Sequence, residues 1–271
     1  MNRTWELTGM EFVLLRKRLL GRSLPWPFDH VSDAKTVDEF RLEERRTWDR
    51  LCAHWDPDLA DAVVNAADPD ARVQIRARDT REMKNPAKRL RLIGNRFGAR
   101  ALVIRQVPGR TVWHSQAFIV TECEAGELAR VMVDNLPKAD AGTRGRIELM
   151  SYHTRETVDH WYGRSTLDAD ADAVDVRCRS FQKATKSTVG IIEVRQGRSI
   201  YGPRGLALRR LFWEDHPGDG RYVIDLEPPM AAVAADSAAL EAKIDAEIAE
   251  VMRALQGELR ERVVRGSIFD G

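Results

Sequence analysis

Two clusters of short strand-like segments, capped helices ahead of the first cluster, and a long amphipathic helix at the end predict an α+β fold. Runs of strands followed by helices, instead of strict strand–helix alternation, favour a central, mainly antiparallel sheet. At 271 residues the chain can bury a sizeable core, as one large domain or as two closely packed halves.

The elements follow in order. Trp5-Glu6-Leu7 reads as a strand running into Thr8 and Glu11, a capping box in which each side chain satisfies a backbone N–H at a helix start. The helix carries Met10, Val13, Leu14 and Leu15 at near-helical spacing and ends near Leu20, where Gly21 can close it. After the proline-rich Leu24-Pro25-Trp26-Pro27-Phe28, Thr36 and Glu39 repeat the capping box and open a helix to about Ala53. Asp56-Pro57 starts a third, to about Ala67. A strand meander is expected at Arg72 to Asp79, Arg89 to Asn95, Ala101 to Val107 and Thr111 to Thr121, with turns at Gly98 and Pro108-Gly109. A short helix over 124–136 stops at Pro137, and 138–145 reads as a linker.

The second half reads as a looser copy. A helical piece around Arg155 to Tyr162 and an irregular Asp-rich stretch precede strands at Thr188 to Arg195, Leu208 to Glu214 and Arg221 to Leu226. The last two flank Asp215-His216-Pro217-Gly218-Asp219-Gly220, a strong hairpin signal. From about Asp236, Leu240, Ile244, Ile248, Val251, Leu255 and Leu259 form one helical stripe roughly 40 Å long, enough to cover a sheet. The division is thus an N-terminal half of about 1–137, a linker of about 138–145 and a C-terminal half of about 146–271.

Charge narrows the partners. Lys plus Arg total 43 and Asp plus Glu 42, so no net field draws the chain to nucleic acid or a membrane. No apolar run reaches the roughly 20 residues that span a bilayer. Glu6, Glu11, Arg16 and Lys17 interrupt any secretory apolar region, which makes the cytoplasm the expected compartment. Cys52, Cys123 and Cys178 are odd in number and far apart, the pattern of free thiols instead of a disulfide scaffold or zinc ribbon.

Signs of catalysis are missing. The histidines at 30, 54, 114, 153, 160 and 216 form no His-Glu-x-x-His motif. Asp168-Ala169-Asp170-Ala171-Asp172 imitates a calcium loop, but Ala173 and Arg179 stand where an EF-hand needs glycine and glutamate. Phosphate-binding glycine loops and nucleophile elbows are also absent. A small-molecule enzyme would have to assemble groups such as Glu193, His216 and Asp225 in three dimensions. A structural adaptor that oligomerises through the last helix is a third reading.

One charge feature stands out: Arg72 to Arg110 holds twelve Lys or Arg against Asp79 and Glu82. Strand alternation puts Arg72, Arg76 and Arg78 on one face and Val73, Ile75 and Ala77 on the other, and Arg89 and Arg91 alternate likewise with Leu90 and Leu92. One sheet face should be basic and the other apolar. A basic face can be balanced by acids from elsewhere or can dock an acidic or polar protein surface. Nucleic acid would need interleaved aromatics, and Phe97 and Trp113 alone make no stacking platform. Between the first two strands lies the polar, mobile-looking loop Thr80 to Lys88, with Met83 its single long apolar side chain.

Taken together, Trp5-Glu6-Leu7-Thr8 through Glu11-Phe12, Leu24-Pro25-Trp26-Pro27, Arg72 to Arg78, Gly94, Ala101 to Ile104, Gly220-Arg221-Tyr222 and the closing helix resemble the EspG family, the cytosolic chaperones of actinobacterial type VII (ESX) secretion. The resemblance spans almost the whole chain and is weakest from Tyr152 to Ser187. It implies a quasi-twofold arrangement of two related halves around a central antiparallel sheet with helical bundles beside it. It also implies a non-enzymatic chaperone without cofactor or metal, whose partner is a PE/PPE-type substrate heterodimer with an apolar helical tip. On that reading Arg81, Met83, Lys84 and Lys88 clasp the tip from the loop, and Met230 and Val233 offer apolar contact ahead of the last helix. A homodimer of the free chain stays open.

Overall fold

The computed structural model describes residues 2–149, 168–226 and 229–269, without the side chains of 168–175 and 263–269. The helical piece expected around Arg155 to Tyr162, with His153 and His160, lies outside the described residues.

Local signals set the first helices. β1 (Arg3–Thr8) leads into α1 (Gly9–Leu20), where Thr8 Oγ1 accepts from the Glu11 N–H at 3.3 Å and Glu11 returns the bond to the Thr8 N–H at 2.8 Å. Gly21, at φ +63°, closes the helix in the left-handed region that glycine enters without steric cost. α2 (Val37–Ala53) repeats the capping box with Thr36 and Glu39. α3 (Pro57–Asn65) is capped by Asp56, which also accepts the Trp5 indole N–H at 2.8 Å and so ties the helix start to β1.

The strands are β2 (Ala71–Asp79), β3 (Arg89–Phe97), β4 (Arg100–Pro108), β5 (Ser115–Glu124), β6 (Arg146–Glu148), β7 (Thr188–Gln196), β8 (Leu208–His216), β9 (Gly220–Asp225) and β10 (Ala231–Ala234). The helices are completed by α4 (Leu128–Asp134), α5 (Asp168–Lys183) and α6 (Ser237–Phe269). All ten strands of the described residues join one antiparallel sheet in the order β1-β5-β4-β3-β2-β7-β8-β9-β10-β6. Read outward from the central β2–β7 pair, each side is a four-strand meander closed by an earlier strand: β2-β3-β4-β5-β1 and β7-β8-β9-β10-β6.

Four expectations change. The strand expected from Thr111 begins at Ser115, because Thr111–His114 turns back on itself with the Gly109 N–H donating to the His114 carbonyl at 2.9 Å. The Asp-rich stretch expected to be irregular is helical, within α5. β6 and β10 are three and four residues long, too short for a readable alternation. The last helix runs 33 residues, about 50 Å.

Three apolar cores hold the layers together. The largest fills the space between one face of the central strands and α4 with α6, around Val73, Ile75, Leu92, Ile192, Val194 and Trp213. On the opposite face, α1 and α3 cover the outer N-terminal strands through Phe12, Leu15, Leu59 and Phe118. On that same face α5 covers the outer C-terminal strands through Phe181, Tyr222 and Ile224. The 138–145 segment is latched to the β8–β9 hairpin: the Thr143 N–H and hydroxyl both donate to Asp219 at 2.7 Å, and Ala141 bridges Arg221. Buried Arg221 adds bonds to Asp215 at 2.6 Å and to the Pro137 carbonyl at 2.7 Å.

Candidate client-docking groove

Among the described residues, a strip of the central strands stays uncovered between the α1–α3 layer and α5. Cross-strand pairing puts Arg78 and Arg76 of β2, Arg89 and Arg91 of β3, Val189 and Ile191 of β7 and Phe212 of β8 on this one face. The expected basic face therefore exists, and its neighbour strands supply an apolar floor. These side chains line an open groove of about 340 Å³, with Trp26 and Pro27 of the α1–α2 connection as one wall. Trp26 is 61% exposed and Phe212 37%, large apolar surface for positions so close to a sheet centre.

Trp26 is positioned by the strands below it. The Gln74 amide donates to the Trp26 carbonyl at 2.6 Å, and the Arg76 guanidinium lies 5.3 Å from the centre of the Trp26 ring, a cation–π distance. The four arginines differ in their partners. Half-buried Arg91 pairs with Asp29 at 2.9 Å; burial lowers its pKa, and Asp29 opposes that shift. Arg76 reaches Glu193 at 4.0 Å. Arg89 donates to the Met83 carbonyl at 3.0 Å, and its Nε has no partner among the described residues. Arg78 is exposed, and among the described residues no carboxylate lies within ion-pair distance of Arg78 or Arg89.

The expected loop contacts sit at one end of this groove. Asp79 opens the β2–β3 loop by accepting from the Arg81 N–H at 2.7 Å and the Glu82 N–H at 3.2 Å, bonds that hold its carboxyl below the usual range, the Arg81 one most. Further bonds follow: the Asn85 N–H donates to the Glu82 carbonyl at 2.9 Å, and the Thr80 N–H to Ser187 at 3.0 Å. The loop read as mobile from its polarity is thus tied at both ends and in the middle. Arg81, Met83, Lys84 and Lys88 all point into exposed positions on it, Met83 at 50% exposure.

Met230 and Val233 lie elsewhere. Val233 pairs with Val223, which continues through Trp213 and Gly190 to Ala77, so it belongs to the α4–α6 face. There it borders a separate depression of about 430 Å³ with Arg146, Ala239 and Lys243. Four strand spacings, about 19 Å, separate β2 from β10. The structure therefore does not bring the loop residues and Met230 or Val233 into one site. Trp26, Ile191 and Phe212, absent from the expected contacts, had two sequence signs: a tryptophan between two prolines, and the Ile191-Ile192 pair that makes both faces of β7 apolar.

The enzyme candidates are also apart. Asp225 faces α6 and pairs with Lys243 at 2.9 Å, Glu193 holds Arg210 at 2.9 Å, and buried His216 stacks on Phe181 with ring centres 4.8 Å apart. Among the described residues no group of three or more His, Cys, Asp or Glu could hold a metal ion, and no helix is long and apolar enough to cross a membrane.

The sheet and its three helical layers define an α+β protein with a large antiparallel sheet and an exposed central groove. Residues 8–265 match the model of the EspG family, and the chain belongs to that family. It is also similar in fold to the Mycobacterium tuberculosis type VII secretion chaperone EspG5, solved in complex with the PE25–PPE41 dimer: TM-score 0.52, 11% identity, over 94% of this chain and 96% of that one. No curated protein matches the chain.

Proposed function

We propose that this chain is a non-enzymatic, cytosolic chaperone of type VII secretion that caps the apolar tip of a PE/PPE-type heterodimer. The observation that carries the reading is the open groove on the central strands, in a chain of this family. Its exposed Trp26 and Phe212 suit a helical tip that would otherwise self-associate through the hydrophobic effect. Enzymes more often enclose a small substrate in a closed cavity with converging polar groups. Capping has to be reversible for handover, so no cofactor or covalent step enters.

The two outward strand orders support a single domain of two quasi-twofold halves, about 1–137 and 146–271, with the groove on the seam between β2 and β7. Arg81, Met83, Lys84 and Lys88 are the loop contacts in this proposal. Met230 and Val233 are a separate second contact in this proposal, on the α4–α6 side and four strands from β2, reached only by a client that wraps past the β10–β6 edge of the sheet.

Co-expression of the chain with the PE/PPE-like pairs of its own genome, read by size-exclusion chromatography with light scattering, tests the proposal. A 1:1:1 complex with one pair is the expected result. A folded chain that captures no soluble pair would overturn it.

A further inference from the structure

Four guanidiniums surround the groove, and they are unequal. Arg91 and Arg76 already face Asp29 and Glu193, whereas Arg78 and Arg89 face no carboxylate among the described residues. Beside them the floor is apolar, built from Val189, Ile191 and Phe212, with the Trp26 ring as a wall. We infer that the client segment seated here carries carboxylate side chains flanking a bulky apolar one, so that Arg78 and Arg89 select for acidity while the floor selects for shape. The identity of the partner as a secretion substrate rests on the function proposed above; the preference for acid rests on the groove alone.

Covering the groove removes water from Arg78 and Arg89. A guanidinium desolvated beneath a neutral or basic surface loses its hydration without compensation, whereas a carboxylate restores the interaction as a charge-assisted, often bidentate hydrogen bond. The two arginines therefore act twice: they attract an acidic tip and penalise a basic one. Arg89 adds a specific sign of an unfilled role, since its buried Nε donor meets no acceptor among the described residues. Phosphate would also satisfy guanidiniums, but a nucleic-acid backbone is held by a run of unpaired cations, whereas Asp29 and Glu193 already pair with two of these four arginines and the chain's net charge of only +1 gives little long-range pull.

The test uses the full chain and two labelled helical peptides with the same Leu-Phe centre, one flanked by glutamates and one by lysines, with a single-stranded oligonucleotide as a third probe. Fluorescence polarisation should show the glutamate peptide binding about tenfold tighter or more than the lysine peptide, with the gap shrinking as salt rises. The double variant Arg78→Glu, Arg89→Glu should lose that preference while keeping the wild-type circular dichroism spectrum, because Arg78 is exposed and Arg89 half-buried at the strand ends. Equal affinity for the two peptides, binding of neither, or tighter binding of the oligonucleotide would overturn the inference. A PE/PPE-like pair captured equally well by wild type and double variant would overturn it too, yet leave the chaperone reading standing. Glutamate-peptide selectivity without capture of any pair would remove the chaperone reading alone.

Discussion

The two faces of the central strands share a backbone and have opposite fates. Toward α4 and α6, Val73, Ile75, Leu92, Ile192 and Trp213 are all fully buried. One residue along each strand, toward the other side, Arg76, Arg78, Arg91, Ile191 and Phe212 stay partly or fully open. Period-two alternation thus writes a core and an open groove face into the same stretches of sequence. The helices decide which is which. α4 and α6 lie across the seam on one face, while α1–α3 and α5 stop short of it on the other. Apolar residues on the open side are not spare core: in the function proposed above, a partner covers them.

The largest difference should appear between neighbours on β7. Ile192→Ala removes a fully buried side chain and should cost about 2–5 kcal/mol in urea denaturation, whereas Ile191→Ala on the open face should cost less than about 1 kcal/mol. Equal losses would mean that the groove face is packed after all. Next, an added methyl at Gly190 would stand 2.2 Å from the Trp213 ring, so Gly190→Ala should cost about 1–3 kcal/mol although the residue carries no side chain of its own.

The latch at the sheet's end predicts a smaller, pH-dependent effect. Burial pushes the Asp219 carboxyl up, but bonds from the Thr143 N–H and hydroxyl, from Tyr222 and from Arg144 outweigh it and bring the pKa down to about 2. A carboxyl depressed in the folded state adds stability above its ordinary pKa near 3.8 and loses it as pH falls toward 2. Urea midpoints of wild type should therefore drop through that window more than those of Asp219→Asn, and parallel curves would contradict the latch. Least perturbing is thiol labelling at mildly alkaline pH. Cys52 is exposed and should alkylate. Cys123, in the closed core with burial and then Glu127 raising its pKa to about 11, should stay protected until the protein unfolds.

Features that close within a few residues were legible in the sequence. Both capping boxes, the Asp56-Pro57 start and the Gly21 stop each satisfy backbone groups within four positions, so the helix starts they mark lie where expected. The split of Arg76 and Arg78 from Ile75 and Ala77 was equally readable, because alternation depends only on neighbours. What could not be read were elements that exist through distant partners. β6 and β10 are held by each other and by β9, not by any pattern within their few residues. The groove was half legible for the same reason: its arginines come from one hairpin, but Trp26, Ile191 and Phe212 join them from two other parts of the chain only once the sheet closes. The separation of Val233 from the β2–β3 loop likewise follows from strand order, which no local signal encodes.

The central claim is that the open strip of the sheet is where the client sits. Capture of a PE/PPE-like pair by the full chain carrying Phe212→Glu, measured beside wild type with thermal midpoints for both, tests it most directly. Phe212 is partly exposed, so the substitution should leave the midpoint nearly unchanged and abolish capture. Undiminished capture by a folded Phe212→Glu chain would contradict the claim and move the client off this face of the sheet.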